Sequence, residues 1–252
     1  MDLHKNRFKQ GLAEGKHQLG LWCSLPGSYA AEAVAGAGFD WLLFDTEHSP
    51  GDVLTVLPQL QAVAAYNVSA VVRPAANDTV LIKRFLDIGA QTLLLPYVQS
   101  VEEAERAVAA MRYPPDGVRG VSGVTRATRF GRIRNYAKRA ADELCLLVQI
   151  ETAEALSQLE GISAVAGVDG VFIGPADLAA SLDHAGDPGH PEVVAVIEDA
   201  IGRVGKCGKP VGILTPDPVF AKRCMQLGTV GVDIGILARG GENLARQFNH
   251  DS

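Results

Sequence analysis

The sequence predicts a single (β/α)8 barrel, with residues 1–252 as one domain, and three observations carry that expectation. Eight short apolar runs alternate with segments of helical period along the 252 residues. The runs are near-continuous in Val, Leu and Ile, as parallel strands buried on both faces require. The length is that of one α/β barrel, roughly 250 residues. An open doubly wound sheet is the alternative, but it carries a glycine fingerprint after its first strand, and this chain has none there.

Strands are expected at 20–25 (GLWCSL), 41–46 (WLLFDT), 69–74 (SAVVRP), 92–98 (TLLLPYV), 145–151 (CLLVQIE), 170–174 (GVFIG), 210–214 (PVGIL) and 230–234 (VGVDI). Helices are expected between them, the clearest at 101–111 and 191–204. Residues 113–142 make an unusually long connection between the fourth and fifth strands. It is basic, with Arg119, Arg126, Arg129, Arg132, Arg134, Lys138 and Arg139, and it opens on Pro114-Pro115-Asp116-Gly117. Such an excursion is either functional or a solvated turn with a short helix.

Composition narrows the function. Hydrophobic residues make up 47%, enough for a sizeable core, and the formal net charge is -6. An acidic balance argues against a nucleic-acid binder, which needs clustered Lys and Arg. Cys23, Cys145, Cys207 and Cys224 show neither zinc nor disulfide spacing and read as reduced thiols. The charged start, residues 1–16, has no apolar signal region, and no run approaches the ~20 apolar residues of a membrane span. A soluble cytoplasmic protein is expected.

In a barrel of this kind the chemistry sits at the C-terminal ends of the strands. Strand two closes on Asp45-Thr46-Glu47-His48, strand three on Arg73-Pro74, strand five on Gln149-Ile150-Glu151, and strand six on Gly174-Pro175-Ala176-Asp177. Trp22 lies in strand one and Leu214 closes strand seven. Glu151 and Asp177, from adjacent strands, can hold a hard cation such as Mg²⁺ or Mn²⁺. Asp177 also stands where a helix cap is expected. Arg73 offers a fixed planar cation for a carboxylate or an enolate oxygen. His48, with Asp45 and Glu47 close by in sequence, is a candidate for proton transfer.

Lysine informs by its absence. Lys5, Lys9, Lys16, Lys83, Lys138, Lys206, Lys209 and Lys222 all fall outside the catalytic strand ends. A Schiff-base aldolase needs a lysine there. If this barrel stabilises a carbanion, a metal must take the place of the iminium.

The segments Phe39-Asp40-Trp41-Leu42-Leu43-Phe44-Asp45-Thr46-Glu47-His48, Val72-Arg73-Pro74, Tyr113-Pro114-Pro115-Asp116-Gly117-Val118-Arg119-Gly120, Val148-Gln149-Ile150-Glu151-Thr152 and Gly170-Val171-Phe172-Ile173-Gly174-Pro175-Ala176-Asp177-Leu178 resemble the motifs of the HpcH/HpaI aldolases. The resemblance runs in order from Leu21 to about Arg246. It implies a class II pyruvate aldolase that cleaves 4-hydroxy-2-oxo acids, such as 4-hydroxy-2-oxoheptanedioate or 2-keto-3-deoxy sugar acids, to pyruvate and an aldehyde.

By that resemblance Glu151 and Asp177 bind a divalent cation (Mg²⁺, Mn²⁺ or Co²⁺), Arg73 stabilises the enolate oxygen, and His48, held by Asp45, moves the proton. Trp22, Gln149, Gly174, Pro175, Ala176 and Leu214 line the substrate. The resemblance also implies a homohexamer with an exchanged C-terminal helix at about 238–248. The chain departs from the family pattern at Ala75-Ala76, at Val121-Ser122-Gly123, and in a short-looking segment, 227–233, that would trim the eighth strand. Two other readings stand beside this one. Gly231, Gly235, Gly240 and Gly241 could cradle the phosphate of a sugar isomerase or epimerase, and a non-catalytic barrel could bind a 2-oxo acid.

Overall fold

The computed structural model describes residues 1–217, 219–221 and 227–248; Lys222, Cys224 and His250 lie outside them. Strands β1 (Gln18–Cys23), β2 (Trp41–Asp45), β3 (Ser69–Arg73), β4 (Thr92–Leu95), β5 (Cys145–Ile150), β6 (Gly170–Ile173), β7 (Val211–Leu214) and β8 (Leu227–Val232) form a closed barrel. Every neighbouring pair is parallel, and β8 returns to β1. The (β/α)8 expectation is met.

Side-chain alternation along each strand divides the core in two. On β2, Trp41 and Leu43 point into the barrel, while Leu42 and Phe44 point out to the helices. The barrel interior is filled by Trp41, Leu43, Val71, Leu94, Leu147 and Phe172. Its N-terminal end is closed by helix α1 (Arg7–Ala13), whose Phe8 meets Trp41 edge-on at 5.5 Å between ring centroids. Two glycines make room for the large rings. A Cβ on Gly20 would enter the Trp41 indole, and one on Gly212 would enter the Phe172 ring.

Helices α2 (Ser28–Ala35), α3 (Val53–Ala62), α4 (Thr79–Asp87) and α5 (Val101–Met111) follow the first four strands. Asp52 and Asp78 cap α3 and α4 by accepting backbone N–H bonds. The long connection resolves into an irregular stretch and helix α6 (Tyr136–Glu143). Beyond β5 come α7 (Ala153–Ser157), α8 (Leu159–Ala164), α9 (Pro175–Ser181), α10 (Pro191–Lys206) and α11 (Asp233–Phe248).

Several strand ends differ from expectation, each for a visible reason. β1 stops at Cys23 because the N–H groups of Ser24 and Leu25 turn to the Asp233 carboxylate, at 2.8 and 3.2 Å. β4 stops at Leu95 because Tyr97, at φ 54°, turns its N–H toward Glu151. β8 is not trimmed. It begins at Leu227, three residues before the expected start, and spans six residues paired with both β1 and β7. Gly231 lies in β8, and Gly235, Gly240 and Gly241 lie inside α11 rather than in a loop.

Candidate active site

The C-terminal strand ends converge on a cavity of about 230 Å³. It is lined by Trp22, Asp45, His48, Arg73, Gln149, Gly174, Pro175, Ala176, Asp177 and Leu214, ten of the eleven residues singled out from the sequence. Ser24, Phe172, Ile173 and Val232 complete its wall and were not singled out from the sequence.

Strand register sets the central pair. Asp45 on β2 stands opposite Arg73 on β3. The guanidinium donates to both carboxylate oxygens, Nε to Oδ1 at 2.8 Å and Nη2 to Oδ2 at 2.7 Å. The Trp22 indole N–H reaches the same Oδ2 at 3.2 Å, and the Trp22 ring lies 4.7 Å beneath the Arg73 carbon. Burial opposes ionisation of Asp45, but the Arg73 hydrogen bonds and charge overcome it and hold the carboxyl below its usual range. A bidentate buried pair of this kind fixes the guanidinium in one orientation.

That pairing alters the expected partner of His48. The sequence reading had Asp45 hold the histidine, but both Asp45 oxygens are taken by Arg73, Trp22 and the Glu47 N–H. The His48 side chain is 64% exposed on the rim, with Nε2 3.9 Å from Glu47 Oε2.

A group of carboxylates lies on the other side of Arg73. Glu151 is buried, with Oε1 accepting from the Tyr97 N–H at 2.8 Å and Oε2 accepting from the Gln149 amide. Burial, helped by the charges of Asp177 and Glu47, pushes Glu151 up to about 7, against the pull of its two hydrogen bonds. Glu47 is also raised, first by burial and then by Asp45 and Asp177, with Arg73 and His48 opposing. Its Oε2 lies 2.7 Å from Arg73 Nη1, an ion-pair contact without hydrogen-bond alignment, so this buried oxygen has no hydrogen-bond donor.

Glu151 and Glu47, each raised first by burial and then in part by the charge of Asp177, with one buried oxygen unsatisfied, fit a hard divalent cation. Gly174 leaves room for this group: a Cβ there would stand 2.5 Å from Glu151 Oε2 and 2.9 Å from Gln149 Nε2. Glu47, expected only as a carboxylate close to His48, also faces Glu151 and Asp177. The Tyr97 N–H was missed, because a backbone donor has no sequence signature.

The start of α9 limits which backbone groups of Gly174, Pro175 and Ala176 can meet a substrate. Pro175 has no N–H, and the Gly174 N–H bonds Ile150 O at 3.1 Å. The first intrahelical bond is Leu178 N–H to Gly174 O, which leaves the N–H groups of Ala176 and Asp177 facing the cavity end of the helix.

A barrel whose C-terminal mouth gathers a clamped arginine, a rim histidine and a trio of carboxylates has the layout of a (β/α)8 enzyme acting on a small anionic substrate. The chain belongs to the HpcH/HpaI aldolase/citrate lyase family, whose profile matches residues 18–239. It is 72% identical over 252 residues to a pyruvate aldolase of Rhizobium etli, covering 98% of this chain and 99% of that one. It is 57% identical over 249 residues to a 4-hydroxy-2-oxo-heptane-1,7-dioate aldolase of Salmonella heidelberg, covering 97% and 95%. The crystal structure of an HpcH/HpaI aldolase/citrate lyase family protein from Burkholderia cenocepacia superposes with a TM-score of 0.93 at 40% identity, covering 96% and 99%.

Proposed function

We propose that the protein is a class II pyruvate aldolase, a carbon–carbon lyase that reversibly cleaves a 4-hydroxy-2-oxo acid to pyruvate and an aldehyde. The observation that carries this reading is the buried Arg73, clamped by Asp45 beside three carboxylates. In the cleavage the 4-hydroxyl loses its proton, the C3–C4 bond breaks, the aldehyde departs, and the electron pair stays on pyruvate as its enolate. Arg73, held rigid, places positive charge where the enolate oxygen forms. The N–H groups of Ala176 and Asp177 bind the pyruvate carboxylate at the helix start. His48 on the rim receives and returns the hydroxyl proton. Trp22 and Leu214 wall the cavity and Gln149 orients Glu151.

Glu151 and Asp177, with Glu47 beside them, are the residues that would hold Mg²⁺, Mn²⁺ or Co²⁺, and the cation would supply Lewis-acid stabilisation of the enolate. Among the described residues no lysine lines the cavity, so the chain offers no iminium in its place. Two further proposals go with this reading. The free Cys23, Cys145 and Cys207 suit the cytoplasm, and the uncovered α11 suits a homohexamer. Among the described residues no helix is long and apolar enough to cross a membrane.

The first test is deuterium exchange at pyruvate C3, followed by proton NMR on metal-stripped protein in D₂O. Exchange that appears only on adding Mn²⁺ or Mg²⁺ is the expected result. Exchange without metal would remove Glu151 and Asp177 from the proposed role. No exchange at all would remove the enolate chemistry.

A further inference from the structure

We infer that the N-terminal end of the barrel, opposite the catalytic mouth, carries a second binding site, for a small polyvalent oxyanion. A cavity of about 220 Å³ opens there, between the starts of β3 and β4, the segment His4–Arg7 and the long basic connection. Its charged lining consists of His4, Lys5, Arg7, Arg126 and Arg129, and among the described residues no carboxylate side chain faces it.

Lys5 is paired, with Nζ 2.5 Å from Glu143. The three arginines are held by neutral groups only. Arg7 donates to Asn67 Oδ1, Arg129 to the His4 ring nitrogen, and Arg126 to the carbonyls of Ile88 at 2.7 Å and Leu60 at 3.4 Å. Among the described residues no carboxylate comes within ion-pair distance of any of the three. A guanidinium has five N–H donors in a fork that matches carboxylate and phosphate oxygens, and most of these fifteen remain free.

The field in the cavity is accordingly uncompensated. Burial first, and then Arg129 and Arg126, hold His4 below its ordinary value, and burial followed by Arg129 lowers Arg126. The backbone is shaped to bring these groups together. Arg129 and Phe130 occupy the left-handed region at φ 51° and 58°, which costs each about 1 kcal/mol. Gly89, at φ 95°, leaves space for Arg126, whose Nη1 would lie 2.7 Å from a Cβ there.

A purely structural reading explains only part of this. Arg126 neutralises carbonyls at the C-terminal ends of α3 and α4, a known use of a cation. It does not account for Arg129 and Arg7 facing the same space without a counter-charge. A tricarboxylate or a phosphate ester would supply that charge within the available volume.

The test is titration calorimetry at fixed ionic strength on the full chain saturated with Mg²⁺ and pyruvate, so that the mouth is filled. Inorganic phosphate and tricarballylate are the two probes, with chloride as reference. Saturable binding of at least one is expected, weakened about tenfold or more in Arg129→Gln and in Arg7→Gln and unchanged in Glu151→Gln. Aldolase turnover without added oxyanion should be unaffected in Arg129→Gln. Preference for phosphate assigns a phosphate ester, and preference for tricarballylate a polycarboxylate. Absence of saturable binding up to about 10 mM, or wild-type affinity in both arginine variants, would overturn the inference.

Discussion

Glu151 carries its raised proton affinity chiefly because it is buried, with Asp177 and Glu47 adding like charge. Its sign is opposite to that of a salt-bridged acid: without a cation, ionising Glu151 works against the folded state as pH rises from the usual carboxylate range to about 7. A bound cation removes that penalty, and protons compete with it. The apparent affinity for Mn²⁺ should therefore fall about tenfold per pH unit below pH 7 and level off above it. Calorimetry across that range would show this, and a flat profile would exclude Glu151 as a ligand. Asp45 has the opposite balance, because Arg73 keeps it ionised despite burial. Arg73→Lys forfeits the two-pronged contact, so kcat should drop about 10²–10³-fold with a smaller change in KM. Gly174→Ala would push a methyl against Glu151 Oε2 and Gln149 Nε2. A comparable loss of kcat/KM is expected, with far-UV dichroism unchanged. Near-normal turnover in that variant would mean the carboxylate group tolerates displacement.

The eight strands were legible because each is a short apolar run buried on both faces, and the polar residues ending strands two, three, five and six located the mouth. Their exact ends were not, because tertiary hydrogen bonds set them. The Asp233 carboxylate, some two hundred residues away in sequence, stops β1 at Cys23, and Tyr97 leaves β4 to reach Glu151. The Asp45–Arg73 clamp was hidden for a related reason: it follows from register between strands, whereas the sequence shows only that Asp45 is near His48. The small residues inside the barrel also go unread until their neighbours are known. Gly20 is one, since its missing side chain is the space that the fully buried Trp41 ring fills. Gly20→Ala should destabilise the barrel by about 1–3 kcal/mol, read as a lower denaturation midpoint with an unchanged m-value. An unchanged midpoint would show that β1 and β2 can separate slightly at no cost.

For the molecule as a whole, the fold closes every strand edge but leaves its last helix uncovered. Residues 234–248 of α11 have no buried member, and Ile234, Ile236, Leu237, Leu244 and Phe248 are 44 to 75% exposed. A helix with several exposed apolar side chains gains little by standing in water, and monomeric proteins rarely leave such a surface open. Docking on another copy would bury it, and symmetric closure would then set the number of subunits. Residues 238–248 lie outside the barrel, so a chain ending at residue 237 should still fold. It should sediment at a smaller mass than the full chain while keeping its far-UV dichroism. If the cavity also borrows part of its wall from a neighbouring copy, the shortened protein will still exchange pyruvate C3 protons with metal present but will lose discrimination among aldehydes. A full-length chain that sediments as a monomer at micromolar concentration would dispose of the exchange, and α11 would then need another partner.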